Sequence, residues 1–229
     1  MTWHEELLPE SLPPEPLALA ALWLEQATRE QAQANPNAMV LATADAQGRP
    51  SARVVLCKEI RPQPGYVCFY GNYESRKGAQ LEANPRAAAV MYWPAMRRQV
   101  RVEGPVLRVS PAQSDTYFAS RPWQSRIGAW ASEQSAPVAS HSALIAAFER
   151  AARRFGVPAS NQWGPEAPDP GVLIPRPPHW GGWQLWAEAV ELWVEGRSRL
   201  HDRARWTRAL ILGAEGYDAG PWSATRLNP

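Results

Sequence analysis

Short apolar runs that follow one another with turn residues between them set the tightest limit on how this chain can fold. Residues 38–44 and 52–57 are rich in Val, Leu and Ala, and Asp45-Ala46-Gln47-Gly48-Arg49-Pro50 joins them. That pattern predicts a β-hairpin. Further strands are predicted at 66–70, 87–93, 99–109, 183–186, 190–194, 200–206 and 222–227, with Gly104-Pro105 marking a bulge or bend in the fourth of the series after the hairpin's first member. Helical spacing occupies 15–33, where Leu17, Leu19, Leu22, Trp23 and Ala27 recur, then 75–83, 111–120 and 140–155. Ser75 is placed to cap the second of these, and Asn84-Pro85 to end it. Strands in succession with helices inserted between them predict a mainly β chain with peripheral helices (α+β), built as an antiparallel barrel or strongly curled sheet.

Composition excludes several functions. The 229 residues carry 24 Lys+Arg and 22 Asp+Glu, a net charge of +2, which gives no field to steer the whole molecule onto nucleic acid or an anionic membrane. A non-enzymatic barrel binding single-stranded nucleic acid would need a continuous basic groove. No apolar run approaches the ~20 residues of a membrane span, and Met1-Thr2-Trp3-His4-Glu5-Glu6 has no leader pattern, so a cytoplasmic protein is expected. Two cysteines, Cys57 and Cys68, fit neither a disulfide framework nor a zinc pattern and read as reduced core residues. The four histidines are scattered, so no metal is expected. A Gly-x-Gly-x-x-Gly run and a Walker-type lysine loop are both missing.

Three clusters bring cations and amide-type donors onto short strands and turns. Arg53-Val54-Val55-Leu56-Cys57-Lys58 alternates along a strand, with Arg53 and Lys58 on opposite faces. Tyr70-Gly71-Asn72-Tyr73-Glu74-Ser75-Arg76-Lys77 runs from a strand into a helix start, where adjacent cations favour phosphate. Arg199-Leu200-His201-Asp202-Arg203 lies on the predicted 200–206 strand. Taken alone, each of the first two is equally consistent with a solvated surface, the third reads first as an exposed strand with cross-strand ion pairs, and Tyr117 with Arg121 reads as an i,i+4 helix pair and Ser125 as a loop residue.

The third cluster, with Glu191-Leu192-Trp193 before it and Arg226-Leu227-Asn228-Pro229 after it, resembles the C-terminal signature of pyridoxamine 5'-phosphate oxidases. The likeness continues in order through the first two clusters, Asn84-Pro85, Arg98-Gln99-Val100, and the block from Tyr117-Phe118 through Ser120-Arg121-Pro122 and Ser125-Arg126-Ile127-Gly128-Ala129-Trp130 to Gln134-Ser135. It implies an FMN-binding split β-barrel, a homodimer with FMN at the subunit interface. On this resemblance Arg53, Val54, Val55, Leu56, Cys57, Lys58, Tyr70, Gly71, Arg76, Lys77, Gln99, Gln134, Ser135, Trp193 and Arg203 would bind FMN. Lys58, Tyr117, Arg121 and Ser125 would hold the substrate phosphate, while Arg199 and His201, the catalytic pair, would face the pyridine ring. The implied reaction is oxidation of pyridoxamine or pyridoxine 5'-phosphate to pyridoxal 5'-phosphate, by hydride transfer to flavin N5 and reoxidation by O2 to hydrogen peroxide. A related FMN oxidase of another ring substrate, of the phenazine-biosynthesis kind, is the alternative.

Some positions depart from the family. Gln184 stands where an arginine is common and Val194 where a glutamine is common. The region before the first helix lacks the arginine and tyrosine that cover substrate in relatives. Residues 1–14, proline-rich from Pro9, are therefore expected to be an extended arm contributing little to closure, ahead of a single domain at 15–229. A second proline-rich segment, 158–178, is expected to be a long loop.

Overall fold

The computed structural model describes residues 7–157 and 167–229. Residues 1–6 of the expected arm, with Trp3 and His4, and 158–166 of the expected proline-rich loop lie outside the described residues. The chain forms two compact units. One runs through Phe69 and takes in Ala83–Leu107 and Trp183–Pro229; the other consists of Tyr70–Glu82 and Arg108–Gly182.

The first unit holds helix α1 (Pro16–Arg29) and strands β1 (Ala38–Ala44), β2 (Pro50–Leu56), β3 (Glu59–Arg61), β4 (Tyr66–Asn72), β5 (Arg86–Trp93), β6 (Arg98–Arg108), β7 (Trp180–Trp186), β8 (Ala189–Val194), β9 (Asp202–Thr207), β10 (Leu210–Leu212), β11 (Tyr217–Ala219) and β12 (Ser223–Leu227), of which β4, β6 and β7 continue into the second. The sheet runs β12-β9-β8-β6-β5-β1-β2; β7 pairs with β6 and β4, and β4 with β3. The β1–β2, β1–β5, β5–β6, β6–β8, β8–β9 and β9–β12 pairs are all antiparallel. Alternation fixes the register: Met39, Leu41 and Thr43 of β1 are buried, while Val40 is exposed. With Phe69, Met91, Trp93, Val100, Leu185, Leu192 and Trp206 they make a core in which each large side chain contributes roughly 1.5–3 kcal/mol. The Glu15 carboxylate accepts from Leu17 N–H (3.0 Å) to start α1, which buries Leu17, Ala20, Trp23 and Ala27. Arg98 fastens that helix through Gln26 (2.7 Å) and lies over the Trp23 ring. Cys57 and Cys68 are buried and not joined in a disulfide.

Residues 7–14 of the arm lie along β9 and β12. Leu8 is buried, its N–H donates to Asp202 Oδ2 (2.8 Å), Arg226 donates to the Pro9 carbonyl (2.8 Å) and the Trp206 indole to the Pro13 carbonyl (2.8 Å).

The second unit carries α2 (Arg76–Ala83), α3 (Pro111–Ala119), α4 (Trp123–Ala131) and α5 (His141–Arg154). Ser110 and Ser140 cap α3 and α5 by accepting from Gln113 N–H (3.2 Å) and Ala143 N–H (3.0 Å). Trp123, Ile127, Ala151, Ala152, Val157 and Ile174 form its core. Five elements differ from the sequence reading. Helix α4 has only nine residues, too few for periodicity to reveal. Strand β3 and the β10–β11 hairpin, of three residues per strand, are equally short. Strand β9 begins at Asp202 rather than at residue 200, because Ser198 (φ 53°) and Arg199 (φ 65°) take left-handed backbone in a 3-10 turn at Arg197–Arg199.

Candidate active site

In the second unit the end of β4 turns into α2 through a polar knot. Asn72 Oδ1 accepts from Glu74 N–H (2.7 Å), and the Ser75 hydroxyl donates to the Asn72 carbonyl (2.7 Å) while accepting from Gly78 N–H (3.3 Å). The buried Lys77 ammonium donates to Ser75 Oγ (2.8 Å) and to Gln134 Oε1 (2.6 Å). Arg76, Gln134 and Ser135 line a cavity of about 520 Å³ together with Glu74, Glu133 and Ala136. Thus Arg76, Lys77, Gln134 and Ser135, separated by nearly sixty residues in sequence, come together.

A second cavity, of about 320 Å³, shares Gln134 and is lined by Tyr70, Gly71, Arg121, Ser125 and Trp180 among others. Beside it three rings stack: Tyr70 on Tyr117 (centroids 4.0 Å apart), Tyr70 on Trp180 (5.6 Å) and Tyr117 parallel to Trp180 (6.1 Å). Gly181 and Gly182 admit this aromatic layer, since a Cβ on Gly182 would sit 2.5 Å from Tyr70 Cε1 and one on Gly181 would sit 1.9 Å from the Tyr73 hydroxyl. Arg121 follows α3, its guanidinium 4.6 Å from the Trp180 ring centroid and 5.5 Å from that of Phe118. Its NH1 is buried without a hydrogen-bond partner among the described residues, and burial pushes its pKa below the ordinary arginine value. A buried cationic donor left uncommitted on a cavity wall is suited to an anion. Ser125, read from sequence alone as a loop residue, stands on the first turn of α4 and lines the same cavity.

In the first unit Gln99, Trp193 and Arg203 occupy one row across β6, β8 and β9, opposed in register as Gln99–Trp193 and Trp193–Arg203. Arg203 gives Nε and NH2 to the buried carboxylate of Glu191 (3.2 and 2.8 Å) and NH1 to the Asn228 carbonyl (3.1 Å). Three of its five N–H donors are so committed and two remain. His201 packs on Trp193 (4.7 Å between centroids), and its Nδ1 accepts from Gly196 N–H (3.2 Å), which leaves Nε2 as the donor nitrogen of that tautomer. Arg199 sits in the left-handed turn two residues earlier. Arg53 is held along β1 and β2 by the Leu41 carbonyl (3.0 Å) and Thr43 Oγ1 (2.7 Å). Val54 and Leu56 are exposed, Val55 is half-buried and Cys57 is buried. Lys58 follows β2, its N–H bonded to the Cys68 carbonyl (2.8 Å). Strands β5 and β1 separate this cluster from the Gln99 row.

Sequence reasoning assigned no role to Trp180, read Ser75 only as a helix cap beside Arg76 and Lys77, and used Glu191 only within the C-terminal likeness. The Trp180-Gly181-Gly182-Trp183 run carried a signal for the first, since paired glycines beside an aromatic admit close ring packing. Among the described residues no group of three or more His, Cys, Asp or Glu could hold a metal ion, and no helix is long and apolar enough to cross a membrane.

The antiparallel sheet with inserted helices is an FMN-binding split barrel, the fold shared with a pyridoxamine 5'-phosphate oxidase-related, FMN-binding protein from Nostoc punctiforme (TM-score 0.65, 21% identity, 96% of this chain and 99% of that one). Residues 24–154 match the family model described as pyridoxamine 5'-phosphate oxidase, and residues 180–229 match the pyridoxine 5'-phosphate oxidase C-terminal dimerisation region. The chain belongs to the pyridoxamine 5'-phosphate oxidase family. Relatives named pyridoxine/pyridoxamine 5'-phosphate oxidase include those of Paraburkholderia phymatum, 49% identical over 94% of this chain and 90% of that protein, and Paracoccus denitrificans, 44% identical over 94% and 95%. The solved structure of PhzG from Burkholderia lata 383, in complex with tetrahydrophenazine-1-carboxylic acid, is also similar (TM-score 0.80, 28% identity, 97% and 98% covered).

Proposed function

We propose that this protein is an FMN-dependent oxidase that converts pyridoxamine 5'-phosphate and pyridoxine 5'-phosphate to pyridoxal 5'-phosphate. The observation that carries the reading is Arg121, whose buried NH1 lacks a partner among the described residues, on the wall of a cavity shared with Ser125. Relatives at 43–49% identity bear the name of this activity.

The residues fit FMN. Arg76, Lys77, Gln134 and Ser135 supply cations and polar groups for its phosphate, and the Gln99, Trp193 and Arg203 row supplies an indole face and two uncommitted guanidinium donors for its ring system. When bound, FMN would supply the two-electron chemistry, an acceptor for hydride from the substrate's CH2 carbon, with O2 as the final oxidant that becomes hydrogen peroxide. Lys58, Tyr117, Arg121 and Ser125 hold the substrate phosphate. Arg199 orients the amine or hydroxyl, and His201 donates from Nε2 to the ring's phenolate oxygen. The proton released from the substrate nitrogen or oxygen leaves to solvent, so neither residue is required as a general base. For the amine, water then hydrolyses the product imine to the aldehyde and ammonia.

The protein acts as a homodimer in this reading, as the match of residues 180–229 to a dimerisation region supports. Three strand spacings, about 14 Å, separate β2 from β6. A second copy would bring the Arg53–Lys58 cluster to the other chain's Gln99 row, with FMN between them.

The likeness to PhzG favours one alternative, oxidation of a reduced tricyclic acid. Oxygen uptake by FMN-loaded protein separates the two. Consumption with each phosphorylated B6 vitamer, with pyridoxal 5'-phosphate formed, is expected. Uptake with a dihydrophenazine carboxylate and none with either vitamer would overturn the proposal.

A further inference from the structure

We propose that Trp180 is a positioning residue for Arg121 and thereby sets the preference of the 320 Å³ cavity for a phosphorylated ligand. The inference rests on the reading of that cavity as the substrate phosphate site. Trp180 is buried on β7 and lines the cavity with Arg121. Its ring is locked on several sides: parallel to Tyr70 and Tyr117, edge-on to Phe118 with centroids 5.0 Å apart. Its backbone is fixed as well, the N–H donating to the Pro177 carbonyl (3.1 Å) and the carbonyl accepting from Arg176 NH1 (2.6 Å).

Against this ring lies the Arg121 guanidinium, 4.6 Å from the centroid. A guanidinium presents two flat faces and an edge of N–H donors, and a face given to an aromatic ring leaves the edge free for an anion. Packing on the indole does a second thing. Burial works against the charge on Arg121, and the electron-rich ring offsets part of that cost without consuming a donor, as a carboxylate partner would. Arg121 has no ion pair among the described residues, unlike Arg126 and Arg176 of the same unit, which meet Asp169 (3.2 Å) and Asp115 (2.6 Å). Replacing Trp180 would let the guanidinium turn to other acceptors, and the phosphate would meet a cation no longer held in place.

The test compares wild type, Trp180→Phe and Trp180→Leu as FMN-loaded protein, using pyridoxine 5'-phosphate as substrate and inorganic phosphate as competing ligand. Loss of a desolvated cation–π contact corresponds to about a 3- to 30-fold weakening. The Michaelis constant and the inhibition constant of phosphate are expected to rise together by such a factor in Trp180→Leu and by less in Trp180→Phe, exceeding any fall in kcat. In an Arg121→Ala background Trp180→Leu should change phosphate inhibition less than twofold, because the group it positions is gone. Equal effects in both backgrounds, or a matching loss of FMN affinity, would mark Trp180 as packing only and overturn the proposal. Wild-type protein that oxidises neither vitamer would remove the underlying reading instead, whereas vitamer oxidation with unchanged constants in both Trp180 variants would sink this inference alone.

Discussion

The Lys77 ammonium and the Gln134 side-chain oxygen lie 2.6 Å apart, a bond that ties the start of α2 to the segment after α4 across 57 residues of sequence. Lys77 is only 6% exposed, so its charge is held by oriented dipoles rather than by water. Lys77→Met is therefore expected to weaken FMN binding by roughly 10- to 100-fold, the equivalent of the ~1.5–3 kcal/mol of a charged hydrogen bond. Fluorescence quenching on titration of apoprotein with FMN measures it. Affinity within twofold of wild type would place the FMN phosphate elsewhere.

Arg121→Ala tests whether the proposed substrate-phosphate and FMN-phosphate sites are separate. The Michaelis constant for pyridoxine 5'-phosphate is expected to rise about 10- to 100-fold by the same arithmetic, while the FMN dissociation constant stays within threefold. An unchanged Michaelis constant would remove Arg121 from the substrate site.

Much of the fold and part of the site were legible because their signals are local. The Asp45–Pro50 turn between two alternating runs gives β1 and β2 directly, and Ser75 caps α2 as its position before the helix implies. The gathering of Arg76 and Lys77 with Gln134, or of Gln99 with Trp193 and Arg203, depends on pairings between distant segments that no local pattern encodes, and only the family likeness anticipated those groupings. Trp180 was missed because a tryptophan among twelve has no periodic signature, and the Arg199 strand was misread because alternation does not reveal two left-handed residues in a row.

Glu191 holds Arg203 with one carboxylate oxygen and approaches Arg101 (3.4 Å) with the other, while itself buried. Without Glu191, Arg101 keeps Glu103 (2.9 Å) and Arg203 keeps only the Asn228 carbonyl, so Glu191→Ala is expected to cost about 1.5–3 kcal/mol of stability, the worth of a charged hydrogen bond. Urea denaturation of the FMN-loaded protein would read this as a lower midpoint; a loss below ~1 kcal/mol would show that Arg203 is held by the Asn228 carbonyl alone.

Burial pushes the Cys57 thiol up to about 12 from an ordinary 9.0. The folded state thus favours the protonated thiol: its contribution to stability is complete below pH 9 and is lost as pH rises from there through about 12. At pH 8 Cys57 is expected to resist iodoacetamide in native protein and to react in urea, as peptide mass mapping would show. Rapid native labelling would mean that the site opens to solvent.

Deleting residues 1–14 tests the arm. Leu8 is buried, its N–H reaches Asp202, and the Pro9 and Pro13 carbonyls accept from Arg226 and the Trp206 indole, so the deletion exposes apolar surface and takes one hydrogen-bond partner from each of Asp202, Arg226 and Trp206. A loss of about 2–4 kcal/mol follows, which lowers Tm by roughly 4–16 °C for a chain of this size. Turnover is a separate matter, because the hydrogen bonds of Leu8 and Pro9 run to Asp202 and Arg226. At matched FMN occupancy and intact dimerisation the truncated protein is expected to keep kcat within a few-fold of the full chain. A fall of tenfold or more, about 1.4 kcal/mol in the barrier, would mean that Asp202 transmits the arm's position to its neighbours His201 and Arg203, and Asp202→Asn in the full-length chain should then reproduce that fall without the loss of the arm.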